Sequence, residues 1–208
     1  MGYMSLVEAK NIIKDSYGKN ISFDSDFGSA IRECELILAK SKSRVDLFNV
    51  NDVELLCLIL LERNAFSILQ SGNNTPFQKI WERNMDSLLK KIPVCHKKVI
   101  YRNHKYCNIE EIKKLYQEDN HYKVNHYLTC SKEFLSMGGY KLKFIIHPLP
   151  RNSKAHNVYM LYNFGRNKKG GKPEWQIEFE RGTEFEIESI KQKGGYHVVH
   201  LKELQINS

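Results

Sequence analysis

The sequence has little that would tie it to a membrane or to an oxidising compartment. Its longest apolar run, Leu55–Leu61, is far too short to cross a bilayer. Residues 1–18 contain no apolar stretch typical of a secretion signal. The five cysteines are odd in number and irregularly spaced, which argues against a disulfide framework. We therefore expect a soluble protein without a membrane partner, cytoplasmic in the producing cell or in a target cell.

Sequence motifs for several common chemistries are also missing. No glycine-rich turn joins a strand to a helix, so neither a P-loop nor a Rossmann dinucleotide site is predicted. Four side chains could be drawn as a zinc site, but their spacing matches no zinc motif and an arginine lies among them: Cys95, His96, His104 and Cys107. The sequence therefore predicts no metal site.

Positive charge is what the sequence has in excess. It contains 32 Lys and Arg residues against 24 Asp and Glu residues, for a net charge of +8 over 208 residues. Such a surplus favours an anionic partner, for example nucleic acid, a phosphate-rich cofactor or an acidic protein surface. One hypothesis is therefore a basic nucleic-acid-binding protein without catalysis.

The chain changes character near its middle. Up to residue 92, apolar residues recur at helical spacing, and residues 51–70 are apolar on nearly every side, which predicts a buried central helix. After Pro93, short segments rich in aromatic and β-branched residues alternate with Gly, Pro and Asn, which predicts strands, one of them over 157–164. We predict an α+β fold with a helical N-terminal half packed on a C-terminal β-sandwich or mixed sheet.

Two further helices have capping signals at their first residues. Pro76 suits the first position of a helix, with Thr75 before it as the cap. Asn108 precedes a short amphipathic segment and is predicted to cap it. We place the domain boundary before the first of these helices, which divides the chain into a helical region over 1–74 and a second domain over 75–208.

Three pieces of the second region follow one another in a suggestive order. A strand ends in Arg102 ("VIYR"), and a later strand ends in the hydroxyl residues Thr129 and Ser131 ("YLTCS"). A basic, glycine-rich loop, Gly165–Pro173, then leads into the acidic strand "EWQIEFE" and a tight "RGT" turn. This order resembles the mono-ADP-ribosyltransferase superfamily, whose signature is Arg / Ser-Thr-Ser / Glu-x-Glu. The resemblance covers roughly residues 75–208.

The resemblance implies a fold, a reaction and a set of roles. The fold would be an ADP-ribosyltransferase-like β-sandwich, and the enzyme would move ADP-ribose from NAD to a protein or nucleic acid with release of nicotinamide. Arg102 would hold the NAD phosphates, and Thr129 and Ser131 would brace the active site. The family's settings are toxins, effectors and phage enzymes, which imply an antitoxin or immunity protein as a partner. The loop Gly165–Pro173 would contact the acceptor.

The catalytic carboxylate can be aligned in three ways. Counting back five residues from Arg181 places Gln176 on the family's catalytic glutamate and Glu174 two residues earlier. We prefer this alignment because the strand's apolar residues then fall on the family's apolar positions. Aligning instead on an acid followed by an aromatic residue makes Glu174 catalytic. The third alignment makes Glu178 catalytic behind Gln176, the order seen in toxins that modify Rho-type proteins.

The preferred alignment has a chemical consequence. A carboxylate stabilises the positive charge that develops on the ribose as nicotinamide leaves, whereas a glutamine brings no charge. A glutamine at position 176 therefore has two explanations. Either the catalytic glutamate has been replaced and the enzyme silenced, or the protein uses a neighbouring carboxylate on the same strand face, Glu174 or Glu178.

Overall fold

The structure is a computed structural model that describes residues 8, 11, 21–61, 76–104, 108–134, 139–162 and 176–205. The chain divides into two compact units. The first combines Met1–Ile92 with Met160–Lys172, and the second combines Pro93–Tyr159 with Pro173–Ser208. The domain boundary expected between residues 74 and 75 falls in a segment outside the described residues and stays a prediction.

Helices dominate the first half of the chain. In chain order the helices with described bounds are α1 (Ile21–Leu47), α2 (Asp52–Leu61), α3 (Pro76–Lys91), α4 (Ile109–Glu118) and α5 (Tyr159–Tyr162). None of the helices in the described ranges combines the length and the apolar character that a membrane span needs. The predicted helix starts are confirmed, since α3 begins at Pro76 and the Asn108 side chain accepts a hydrogen bond from the Glu110 N–H at 3.0 Å.

Helix α2 is the buried central helix that the sequence predicted, since every residue from Val53 to Leu61 is buried. It begins with a capping box, in which Asn51 and Glu54 each accept a hydrogen bond from the other's backbone N–H at 2.9 Å. The Trp81 indole of α3 donates to the Cys57 carbonyl at 3.0 Å. The first unit therefore contains a buried apolar helix whose N-terminus is capped by side chains.

The second unit contains a mixed sheet of eight strands within the described ranges. Its strand order is β2-β7-β8-β4-β1-β3-β6-β5, and every pair is antiparallel except β4 with β8. In chain order the strands are β1 (Ile100–His104), β2 (His121–Val124), β3 (Leu128–Ser131), β4 (Leu142–His147), β5 (Ala155–His156), β6 (Gln176–Phe179), β7 (Thr183–Lys193) and β8 (Tyr196–Glu203).

The sheet folds back on itself to form two facing layers. Four strands separate β6 from β7 in the hydrogen-bonding order, which in a flat sheet would hold them more than about 20 Å apart. Nevertheless the rings of Phe179 and Phe185 meet edge to face with centroids 5.1 Å apart. Similarly, the ring of Tyr122 on β2 lies 5.7 Å from that of Phe144 on β4. The predicted α+β fold with a β-sandwich is confirmed.

The "RGT" turn after β6 connects the two layers and does not close a hairpin, because β6 and β7 are not paired with each other. Gly182 occupies the left-handed region at φ +74°, where a side chain would be strained. Its N–H donates to the Val124 carbonyl at 2.7 Å, and the Thr183 hydroxyl donates to the Glu180 carbonyl at 2.5 Å. The turn therefore fixes where the strand β6 ends.

One predicted strand is wrong. Residues 157–164 read as a strand, but the described part of this segment contains the short helix α5. The chain turns just before that helix, because the Asn157 N–H donates to the Pro93 carbonyl at 2.9 Å and its side-chain amide donates to the Val94 carbonyl at 3.1 Å. A short aromatic run suits either a strand or a buried helical turn, and here these tertiary contacts decide.

Candidate active site

Five of the six predicted site residues come together on three neighbouring strands, β1, β3 and β6. Thr129 lies directly opposite Glu178 in the register of β3 and β6, and Ser131 lies opposite Gln176. Opposed residues of antiparallel strands project their side chains on the same side of the sheet. Arg102 lies on β1, the other neighbour of β3. The sixth predicted residue, Glu174, lies outside the described residues.

Strand β6 is buried on both faces. Ile177 and Phe179 belong to the apolar cluster between the layers, and both are fully buried. Gln176 and Glu178 alternate with them on the opposite face and are 7% and 0% exposed. Since β6 also has a neighbour on each side, β3 and β5, its polar face is not the solvated face of an edge strand. A carboxylate and an amide buried together need a reason beyond solubility.

Glu178 is only partly compensated for its burial. The Gln176 side-chain amide donates to Oε1 of Glu178 at 2.7 Å, while Oε2 is buried and has no hydrogen-bond partner in the described part of the chain. Burial raises the pKa of Glu178 to about 7, although the hydrogen bonds of Gln176 and Thr129 and the charge of Arg102 oppose that rise. Such a carboxyl group is poised to change its charge near neutral pH.

The guanidinium of Arg102 has one nitrogen hydrogen-bonded to the backbone and one buried nitrogen without a hydrogen-bond partner among the described residues. Its Nη1 donates to the backbone carbonyl of Thr129, which ties the guanidinium to the strand that faces Glu178. Its Nε is buried without a hydrogen-bond partner among the described residues. An unpaired buried donor is costly, and an anionic ligand would relieve that cost.

Two histidines beside Arg102 were not foreseen from the sequence as parts of this site. Burial, followed by the charge of Arg102, lowers the pKa of His104 and of His126 to about 4. Both rings are therefore neutral at physiological pH, and Arg102 is the permanent positive charge of this cluster. Strand spacing places His104 two residues after Arg102, but nothing in the sequence signals that His126 returns to the same place.

The two hydroxyl residues have different surroundings. The hydroxyl of Thr129 interacts with the buried Glu178, and its backbone carbonyl accepts from Arg102, so this residue links the positive and negative groups of the site. The Ser131 hydroxyl accepts from the Glu133 N–H at 3.1 Å and closes the turn after β3. Thr129 is thus a candidate contact within the site, and Ser131 shapes the end of its strand.

His156 completes the far side of β6 and was missed at the sequence level. It is 5% exposed and lies opposite Glu178 in the register of β5 and β6. Its Nε2 lies 2.8 Å from Oε1 of Glu180, the residue that follows the end of β6. Glu178 is therefore flanked in the sheet by Thr129 on one side and by His156 on the other. No motif in the sequence marks this histidine.

The described residues contain no group of three or more His, Cys, Asp and Glu side chains arranged to hold a metal ion. Of the four side chains considered for zinc, Cys95 is buried in the apolar cluster and Cys107 lies outside the described residues. The described part of this site brings together one guanidinium, one buried carboxyl group, and the amide and hydroxyl that contact the carboxyl group.

Comparisons with known proteins identify the fold. No protein-family model and no curated protein sequence matches the chain. Among solved structures, the type III effector XopAI from Xanthomonas axonopodis pv. citri superposes with a TM-score of 0.65 at 10% identity, over 95% of this chain and 81% of that one.

Two toxin structures give a similar result. Plx2a, an ADP-ribosyltransferase toxin from Paenibacillus larvae, has a TM-score of 0.58 at 17% identity, over 83% of this chain and 96% of that one. C3stau2 from S. aureus, solved with NAD, has a TM-score of 0.56 at 15% identity, over 82% of this chain and 95% of that one. This chain has the fold of the bacterial ADP-ribosyltransferases.

Proposed function

We propose that this protein is a mono-ADP-ribosyltransferase that moves ADP-ribose from NAD to a macromolecular acceptor and releases nicotinamide. The observation that carries the proposal is the fully buried Glu178, opposite Thr129 and within the electrostatic reach of Arg102. Fold alone does not establish an activity. These residues support it because they occur in the order, and on the strands, that the resemblance to this superfamily requires.

We further propose Glu178 as the catalytic carboxylate, the third of the three alignments considered. It is the charged residue that burial and the register of β3 and β6 bring against Thr129, and Gln176 contacts it as a hydrogen-bond donor. Gln176 then needs no replacement for the chain to be active, which argues against a silenced enzyme. The roles of Gln176 and Glu174 in the preferred sequence alignment stay untested predictions.

The unpaired polar atoms of the site fit NAD as a substrate. The Arg102 Nε needs an acceptor, which a phosphate oxygen supplies, and the Glu178 Oε2 needs a donor, which a ribose hydroxyl supplies. A guanidinium pairs with phosphate through charge-assisted hydrogen bonds, which suits the role proposed for Arg102.

In the proposed reaction, the bond between ribose C1′ and the nicotinamide nitrogen breaks, and nicotinamide leaves with the bonding electrons. Positive charge develops on the ribose, and the Glu178 carboxylate stabilises it. This charge is absent in the ground state, so the interaction favours the transition state. A nucleophilic atom of the acceptor then forms the new bond to C1′ and releases its proton to solvent.

The acceptor class that we propose is inferred from the net charge of the chain. The net charge of +8 favours acidic proteins or nucleic acid as acceptors. We propose that the loop Gly165–Pro173, which lies outside the described residues, contacts the acceptor through Lys168, Lys169 and Lys172. Because the structural neighbours include a type III effector and a toxin, we propose a toxin or effector role, with an antitoxin or immunity protein as partner.

The experiment is to incubate the purified chain with NAD labelled in its ADP-ribose part and with a cell lysate. We expect free nicotinamide and label in macromolecules, and digestion with protease or nuclease then identifies the acceptor class.

Arg102→Ala should weaken NAD binding by about 2–4 kcal/mol, whereas Arg83→Ala, which removes an exposed arginine, should not. A chain that binds nucleic acid but neither binds nor cleaves NAD would instead be the basic binding protein considered above.

A further inference from the structure

A second buried carboxylate lies at the end of β8. Glu203 is 1% exposed and accepts three hydrogen bonds, all from the connection between β4 and β5. Its Oε2 accepts from the Leu149 N–H at 2.8 Å and the Ser153 hydroxyl at 2.6 Å, and its Oε1 accepts from the Lys154 N–H at 2.6 Å. One carboxylate therefore holds both ends of residues 149–154.

Burying this charge needs compensation. Burial raises the pKa of Glu203, and the hydrogen bonds from Lys154, Ser153 and Leu149 act against the rise. An apolar residue would suit the position better, since Glu203 continues the alternation of the buried Val199 and Leu201 along β8. The carboxylate is useful here because it supplies acceptors to a connection that contains no strand or helix of its own.

The same connection leads directly to the candidate active site. The Ser153 hydroxyl also accepts from the Ala155 N–H at 3.1 Å, at the first residue of β5. The Lys154 carbonyl accepts from the Glu180 N–H at 2.9 Å. The next residue of β5, His156, lies opposite Glu178 and contacts the Glu180 carboxylate at 2.8 Å. The contacts of Glu203 thus continue, through the backbone, to the outer side of β6.

We propose that Glu203 is a positioning residue for the active site, which acts by holding the β4–β5 connection and β5 against the strand that carries Glu178. This inference rests on the proposed function for its kinetic consequence, while its structural part stands independently. The carboxylate touches no reacting atom. It sets the place of His156, and with it the outer wall of β6.

The test is Glu203→Gln in the full chain, with Glu186→Gln as the matched control. Glutamine has one oxygen where the carboxylate has two, so its NH₂ group would face at least one of the three donors. Glu186 is a partly exposed glutamate of β7, and its one described ion pair is a 3.7 Å contact with Lys202. We measure kcat and KM for nicotinamide release, the melting temperature, and hydrogen exchange at the Glu180 amide.

We expect Glu203→Gln to lower kcat about 10- to 100-fold, since small displacements of a catalytic group cost this much, with KM for NAD changed less than about threefold. Hydrogen exchange at the Glu180 amide should accelerate in Glu203→Gln. The control Glu186→Gln should change neither kcat nor this exchange rate. A folded Glu203→Gln protein that melts at a lower temperature but keeps the wild-type kcat would overturn the inference, because the role would then be structural only.

Two further measurements keep the inference open to refutation. If Glu203→Gln does not fold, Ser153→Ala removes one of the three donors and should lower kcat about two- to fivefold, in the direction expected for partial misplacement. A wild-type kcat in Ser153→Ala would then overturn the inference. If the wild-type chain releases no nicotinamide, the proposed function fails. The positioning role is then tested separately by hydrogen exchange, and an unchanged exchange rate at the Glu180 amide in Glu203→Gln or Ser153→Ala would overturn it.

Discussion

Two glutamates, one in each compact unit, are buried almost completely and are treated very differently. Glu54 on α2 contacts the Lys91 ammonium at 2.8 Å through both oxygens, and it accepts from the Ser87 hydroxyl at 2.6 Å and the Asn51 N–H at 2.9 Å. Glu178 accepts a hydrogen bond from Gln176 and interacts with the Thr129 hydroxyl, but its Oε2 has no partner in the described part of the chain. Complete pairing is typical of a structural carboxylate, and the incomplete pairing of Glu178 supports the catalytic role that we propose for it.

The largest effect should come from Glu178→Gln, which keeps the shape and removes the charge. Nicotinamide release should fall at least about 10²- to 10³-fold, because the transition state loses its main electrostatic partner. The Kd for NAD should change little, since the ribose is uncharged before the bond breaks. Single-turnover assays alongside calorimetric NAD titrations measure both. Wild-type turnover in this variant would move the catalytic role to Glu174 or Gln176.

Lys91→Met tests the opposite half of the comparison. This substitution leaves the buried Glu54 without its cation, so the free energy of unfolding should fall by about 3 kcal/mol. This value is at the lower end of the cost of breaking a buried ion pair, because the Lys91 side chain is 22% exposed. The control is Lys90→Met, which replaces an exposed neighbouring lysine and should change the free energy of unfolding by less than about 0.5 kcal/mol. Urea unfolding measures both, and equal effects in the two variants would refute the structural role.

Stability should respond to Glu178→Gln in the direction opposite to activity. The pKa of Glu178 is raised to about 7 in the folded protein, from 4.5. The native state therefore binds this proton more tightly, and wild-type stability falls as pH rises from about 4.5 through about 7. Glu178→Gln removes that cost, so its free energy of unfolding at pH 8, measured with urea, should exceed that of the wild type by about 1–3 kcal/mol. Below pH 4.5 the variant should gain no stability. A destabilised variant at pH 8 would show that Glu178 is a structural group.

The smallest expected effect is the pH dependence of wild-type turnover. The carboxylate is the active form, so the single-turnover rate should rise about tenfold between pH 6 and pH 8, with a midpoint near the pKa of about 7. Glu186→Gln should keep this profile. A flat profile over this range would mean that Glu178 is ionised throughout, or that another residue supplies the charge.

Much of this arrangement is visible in the amino-acid sequence, because order along the chain and alternation along a strand are local properties. Arg102, Thr129 and the acidic strand fall in the order that the superfamily requires, and their strand assignments are confirmed. The choice between Gln176 and Glu178 could not be made in this way. It depends on burial and on which residue faces Thr129, and register between distant strands is not a local property.

Of the features that sequence analysis missed or misassigned, some have a recognisable pattern in the sequence and others have none. Glu203 was overlooked although it continues the apolar alternation of Val199 and Leu201, which is a readable sign of a buried carboxylate. His156 has no such sign, since a single histidine after a loop fits many environments. The aromatic run over 157–164 was misread because its composition fits a strand, while contacts with Pro93 and Val94 turn the chain into a helix.

The position of β8 has a consequence for when the sheet can be completed. This strand follows the other seven described strands along the chain, yet it lies inside the sheet between β7 and β4. Its pairing with β4 joins residues more than fifty positions apart. A growing chain therefore cannot complete the sheet, or place Glu203 beneath the β4–β5 connection, until residues 196–203 have been synthesised. A chain that stops at residue 195 lacks this internal strand, so the activity proposed here requires residues 196–203 to be present.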